Sequence, residues 1–287
     1  MKETMSKKGI VFDIKQLAVF DGPGIRTTVF LKGCPMRCQW CHNPEGLSVK
    51  PELMVSQNGC LRCKKCVNIC KSPENCILCG DCVRACPLHL RKICGTAMDA
   101  KELARKLKKD KDFLKANEGG ITISGGEPTM QPEFLLELLQ ELKGIHRAIE
   151  TCGYCDEEIF GEILEHLELV IMDIKLVDDT LHQHYTRRSN QKILKNLQQV
   201  KDSGLPFLIR VPLIPGVNDT EQNLRDTAQL LKGSENLIRV ELLPYHQTAG
   251  AKYSMVGKEY APEFDPNQAV HARTEIFEKA GICCKVL

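Results

Sequence analysis

Eleven of the sixteen cysteines fall between positions 34 and 86, in three spaced sets. The second and third sets repeat one run, C-x2-C-x2-C-x3-C: Cys60, Cys63, Cys66 and Cys70, then Cys76, Cys79, Cys82 and Cys86, the last followed by Pro87. Bacterial ferredoxins use this spacing for [4Fe–4S] clusters. Three closely spaced thiolates wrap one face of an iron–sulfide cube. The fourth lies too far round to close it and ligates the neighbouring cube. Crossed ligation is therefore expected, with Cys60, Cys63, Cys66 and Cys86 on one cluster and Cys70, Cys76, Cys79 and Cys82 on the other. C-x2-C pairs also suit tetrahedral zinc, but two identical four-membered runs favour iron. Cys70 lacks a following proline, and only five residues separate it from Cys76. The unit is a trimmed ferredoxin module.

The first set, Cys34-x3-Cys38-x2-Cys41, carries a different chemistry. Three thiolates hold three irons of a cube and leave the fourth iron open. An open metal position is where substrates bind, by the logic that separates catalytic from structural zinc sites. A zinc site completed by His42 is the alternative. Outside the sets stand Cys94, the pair Cys152 and Cys155, and Cys283 with Cys284 in an apolar tail. A redox role for Cys152-x2-Cys155 lacks a thioredoxin-like setting, and the tail cysteines read as small buried hydrophobes.

These ligands need a scaffold. The chain has 287 residues, 43% hydrophobic and 26% charged, an ordinary globular balance with net charge +2. No global basic field exists for a nucleic acid, so none is expected as partner. No apolar run approaches the roughly 20 residues of a spanning helix, so no membrane association is expected. The first residues show no signal-peptide pattern, and a cytoplasmic setting is expected. So many cysteines in a reducing compartment point to metal or redox chemistry rather than disulfides. Residues 47–94 form a cysteine-rich insert whose eight basic side chains outnumber its three acidic ones. Residues 1–46 and 95–287 form the main unit. There, strands are expected at Thr27–Leu31, Ile121–Ser124, Arg147–Thr151, Leu169–Ile174, Phe207–Leu213 and Leu237–Leu243, with a last strand or tail at Ile282–Leu287. Helices are expected at Ala100–Leu114, Pro132–Leu142, Glu157–Leu167, Asn190–Asp202, Glu221–Leu231 and Asn267–Lys279. Alternation of this kind implies an α/β fold with parallel strands and outer helices, and six βα units make an incomplete barrel.

Active sites of parallel α/β folds gather at the C-terminal ends of strands, and polar motifs sit there. Gly125-Gly126-Glu127-Pro128 follows one strand, and its glycines let a ligand lie against the backbone. Glu127 suits a cationic amino group. Asp173 and Lys175 alternate with apolar residues, so both face the barrel interior. A buried carboxylate and ammonium are costly unless they meet opposite charge, which a zwitterionic ligand would supply.

Cys34-x3-Cys38-x-Trp40-Cys41, preceded by Asp21-Gly22-Pro23-Gly24-Ile25-Arg26 and Val29-Phe30-Leu31-Lys32-Gly33, resembles the opening of the glycyl-radical-enzyme activating enzymes, members of the radical S-adenosylmethionine (SAM) superfamily. The resemblance covers nearly the whole chain. It implies a partial (β/α)6 TIM-like barrel with a ferredoxin-like insert, three [4Fe–4S] clusters and SAM. It implies that one electron from the triad cluster cleaves SAM to methionine and a 5′-deoxyadenosyl radical, which takes hydrogen from a glycine of a partner glycyl radical enzyme. It places Gly125, Gly126 and Glu127 at the amino end of SAM, and Asp173, Ile174 and Lys175 against SAM. Glu150 and Thr151, with Asp173, would hold a monovalent cation. Arg210 falls near the methionine end, His246 near the adenosyl end, and Trp40 and His42 with the other cofactor-binding residues. A low-potential donor such as flavodoxin or ferredoxin is implied, and the basic insert would attract an acidic one. The alternatives are a radical SAM enzyme acting on a small molecule and a non-enzymatic iron–sulfur electron carrier.

Overall fold

The computed structural model describes residues 6–287. Its strands are β1 (Lys8–Ala18), β2 (Arg26–Leu31), β3 (Glu52–Val55), β4 (Arg91–Cys94), β5 (Thr96–Asp99), β6 (Gly120–Gly125), β7 (Arg147–Thr151), β8 (Leu169–Asp173), β9 (Phe207–Leu213), β10 (Leu237–Pro244) and β11 (Cys284–Val286). Nine of them form one sheet in the order β11-β10-β9-β8-β7-β6-β2-β1-β5. From β2 to β11 every neighbouring pair is parallel, and β1 runs antiparallel to both β2 and β5. The central strands are apolar along their length because helices cover the outer face. Val29, Ile121, Ile123, Ile149, Val170, Ile209 and Val211 are fully buried in the resulting core.

Helices Pro132–Glu141, Glu157–Leu164, Gln191–Asp202 and Glu221–Leu231 connect successive parallel strands. Two of their starts show helix-start chemistry. Thr220 accepts a hydrogen bond from the Asn223 N–H, and Pro132 occupies the first turn of its helix. Two expected helices differ. Ala100–Leu114 is two pieces, Ala100–Leu107 and Lys111–Ala116, joined by a 3-10 turn at Lys108–Asp110. That charged turn buries nothing, so no packing holds both pieces to one axis. The last helix begins only at Thr274, because the His271 N–H is taken by the Asp219 carboxylate. Strand β1 was not expected from the sequence; two irregularities in its pairing with β2 break the alternation that would have marked it.

The insert has its own two-stranded antiparallel sheet, β3 with β4, and the short helical turns Lys65–Asn68 and Asp81–Arg84. Residue Gly95, with φ of 109°, links β4 directly to β5 of the main sheet. Lys32, fully buried at the end of β2, donates to Glu52 of β3 at 3.0 Å and to the Glu45 carbonyl at 2.6 Å. The segment after β10 closes over the same junction: Lys252 donates to Asn43 at 2.9 Å and to Glu45 at 2.7 Å. The Lys252–Gly257 stretch thus clamps the loop that follows the cysteine triad. Among the described residues no helix is long and apolar enough to cross a membrane.

Candidate active site and cluster-binding cysteines

At the C-terminal ends of the strands lies a cavity of about 300 Å³, within the size range of small-ligand sites. Phe30, Ser124, Glu150, Asp173, Pro212 and Leu243 line it, one from each of β2, β6, β7, β8, β9 and β10. Only a curled sheet brings residues of β2 and β10, separated by four strands, to one cavity of that size. The six-strand partial barrel expected from the sequence is therefore the arrangement around the site, with β11 as a seventh parallel strand.

Cys34, Cys38 and Cys41 all line this cavity. Their loop is held from two sides. The Arg37 and Gln39 N–H groups donate to the carbonyls of Thr186 and Tyr185, at the end of helix Asp179–Thr186, which sequence reasoning missed. On the other side the loop meets Gly125 and Gly126. A Cβ on Gly125 would stand 2.1 Å from the Leu31 carbonyl oxygen, and one on Gly126 would stand 2.4 Å from that of Gly33. These glycines line the cavity, and close approach of backbone to backbone also requires them. Burial pushes the Cys38 thiol up to about 12 and raises those of Cys34 and Cys41 as well. Thiols in such a place ionise when a cation compensates them.

Asp173 and Lys175 line the cavity as their alternation predicts, joined by a 2.8 Å ion pair. Burial opposes the Lys175 charge, but Asp173 together with the nearby Cys38 and Cys152 sulfurs outweighs it and holds the ammonium above its ordinary pKa. Trp40 lines the cavity with its ring packed among Leu176, Ile214, Val217 and Phe264, and His42 is exposed at the rim, edge-on to Tyr245. Glu150 and Thr151 also line it.

Four of the expected site residues lie outside the lining of this cavity. Glu127 is fully buried and does not line the cavity. Its carboxylate accepts from the Thr129 N–H, the Thr129 and Thr151 hydroxyls and the Cys152 N–H, at 2.7–3.1 Å. It ties the end of β6 to the end of β7. Ile174 packs in the main core, on the opposite side from Asp173 and Lys175 as strand parity dictates. Arg210 lies beneath the cavity, paired with Glu150 and, at 2.9 Å, with Glu241. His246 is exposed and caps a 3-10 turn through Thr248, outside the cavity lining. Ser124, Asn43 and Cys152 line the site without having been expected there. Only their places next to the strand-end motifs could have signalled it.

Glutamine at position 127 is expected to lower the stability of the metal-free protein by about 1–3 kcal/mol, since its NH2 would face donors in a buried site. Anaerobic urea unfolding without SAM checks this. A residue that only touched ligand would leave that midpoint unchanged.

In the insert, Cys60, Cys63, Cys66 and Cys86 line one cavity of about 300 Å³. Cys70, Cys76, Cys79 and Cys82 line a second of about 210 Å³, with Cys66 on the wall between. These are the two crossed sets read from the spacing. Among the described residues no three His, Cys, Asp or Glu side chains gather closely enough to hold one metal ion. The thiols of each set stand around a cavity of their own.

Comparison with known proteins decides the family. The Radical SAM superfamily model matches residues 28–231. The chain belongs to the radical SAM superfamily. It is 40% identical to the isethionate sulfite-lyase activating enzyme of Nitratidesulfovibrio vulgaris (strain Hildenborough), over 88% of each chain. It is 35% identical to the 4-hydroxyphenylacetate decarboxylase activating enzyme of Clostridioides difficile (strain 630), over 100% of this chain and 98% of that one. These radical SAM relatives are activating enzymes of glycyl radical enzymes, and the chain is one of that group. A crystal structure of a radical SAM methyltransferase from Sphaerobacter thermophilus shares the fold, with TM-score 0.52 and 14% identity over 100% of this chain and 74% of that one.

Proposed function

We propose that Cys34, Cys38 and Cys41 hold a [4Fe–4S] cluster whose fourth iron takes the amino and carboxylate groups of SAM. When bound and reduced, such a cluster would supply one electron to the sulfonium, giving methionine and a 5′-deoxyadenosyl radical as the cluster is oxidised. The radical takes a hydrogen atom from a glycine Cα of the partner enzyme, leaving 5′-deoxyadenosine and a glycyl radical. The carrying observation is the cavity that joins three half-buried cysteines to an Asp173–Lys175 pair. Lys175 offers charge to the methionine carboxylate, Asp173 accepts from hydroxyl or ammonium, and the Gly125–Gly126 backbone lies beside them. Trp40 and His42 furnish flat surfaces for the adenosyl end. Arg210 acts from below by fixing Glu150.

A monovalent cation on Glu150 and Thr151 is left out of this proposal. Glu150 is taken up by Arg210 and by Ser124 at 2.7 Å, and the Thr151 hydroxyl by Glu127 and the Gly153 N–H. The two insert cavities are assigned to two further [4Fe–4S] clusters with the crossed ligands named above. The isethionate and hydroxyphenylacetate relatives serve different partners at similar identity, so the proposal commits only to a glycine in a glycyl radical enzyme. Protein rebuilt anaerobically with iron and sulfide, then given SAM, dithionite and a glycyl radical enzyme, is expected to form 5′-deoxyadenosine and a glycine-centred paramagnetic doublet. Absence of 5′-deoxyadenosine would overturn the reading.

The electrons are proposed to enter through the insert. Arg62 and Lys64 rim the cavity of Cys60, beside exposed Leu61 and Leu88, a basic and apolar edge suited to an acidic flavodoxin or ferredoxin. Reversing both charges, Arg62→Glu with Lys64→Glu, is expected to slow reduction by such a donor about tenfold at low salt. Reduction by dithionite, followed by the same stopped-flow bleaching, should be unchanged.

A further inference from the structure

The two insert cavities share a wall made by Cys66, Val67 and Arg91. Arg91 begins β4 and pairs with Val55 at the far end of the β3–β4 ladder. Its side chain lines both cavities, beside Cys66 of one crossed set and Cys82 of the other. No carboxylate lines either cavity. Of the insert's three acids, Asp81 is paired with Arg84 and Glu52 with Lys32, and Glu74 lines neither cavity. The Arg91 charge is therefore directed at sulfur. The other cations on these walls, Arg62 and Lys64, line the outer cavity alone.

A guanidinium is suited to this place because its planar fork can donate in two directions at once. Reduction adds a negative charge to a cluster. A fixed cation beside the ligating sulfurs favours that state. We propose that Arg91 is a positioning residue that bridges the two insert clusters, holding the Cys66 and Cys82 loops together and raising the reduction potentials of both. This rests on the two-cluster reading above. A single side chain would then set the two potentials jointly, and neither could be tuned without the other.

The test is a redox titration of the full-length, anaerobically rebuilt protein, followed by electron paramagnetic resonance, with iron and sulfide measured on each sample. In Arg91→Gln both insert midpoints should fall. The ratio of reduced to oxidised cluster at the wild-type midpoint should drop about tenfold, or about 59 mV for a one-electron couple. The triad cluster should not move and serves as internal reference. Unchanged insert midpoints, or a shift in only one, with full iron content would overturn the inference alone. Should Arg91→Gln lose iron, Arg91→Lys carries the test: the charge stays while the fork is lost, so a smaller fall in the same direction is expected, and no fall overturns the bridge. Wild-type protein with iron for only one cluster would overturn the two-cluster reading and this inference with it.

Discussion

Replacing Cys38 with alanine is expected to reduce SAM cleavage by about a thousandfold or more. The Cys38 side chain stands on the cavity wall with Cys34 and Cys41, and burial pushes its thiol up to about 12. A thiol so disfavoured as a free anion is stabilised as a thiolate mainly by the metal it binds, and two remaining ligands cannot keep a cube in place against solvent. The loss should be confined to one cluster: iron should fall by about one third, with the insert signals intact. Cys152 is the other thiol on the same cavity wall. Cys152→Ala should keep both its iron and its SAM cleavage, which separates the triad from a thiol that merely adjoins the site. The 5′-deoxyadenosine yield and iron content of the two variants together check the prediction.

The second large effect is on folding. Arg210→Met is expected to cost about 3 kcal/mol, because it leaves half-buried Glu150 without its cation and buried Glu241 with Arg239 alone. Arg210 sits in the middle of β9, between Glu150 on β7 and Glu241 on β10, with side-chain exposure of only 6%. Burial works against its charge, and the two glutamates outweigh it, so its pKa stands above the ordinary arginine value. Burial likewise pushes the Glu150 carboxyl up, with Arg210 pulling against it. Arg210→Lys retains a charge but not the fork that reaches both partners, so it should recover only part of the loss. Anaerobic urea unfolding of the metal-free variants measures both. A residue whose main partner were SAM would show its effect in ligand affinity and leave these midpoints in place.

The sheet was readable because six runs of β-branched and aliphatic residues recur between helical patterns, and each became a strand within a few residues of its expected bounds. The ligating residues were readable because cysteine spacing is a local property: the chain between two thiols limits which cavity both can reach. What could not be read were roles that depend on partners distant in sequence. Glu127 ends the same strand as the cavity-lining glycines, but it turns inward to donors on β7 that no nearby pattern marks. Arg210 looked like a ligand group because nothing in its own segment discloses Glu150 or Glu241. Ile174 is a different case. The alternation that turns Asp173 and Lys175 into the cavity also turns the residue between them away from it.

The main sheet never closes on itself, since β5 and β11 are its two edges and do not pair with each other. A fully shut ring would admit only what could pass down its axis, whereas a sheet with two free margins gives the reactive centre a lateral approach. A length of another protein's backbone could come in through such a side door, present one Cα and withdraw intact. The same breach exposes a radical to water and oxygen whenever no visitor fills it. The visiting chain would therefore be both the target of the reaction and the stopper that makes the reaction safe.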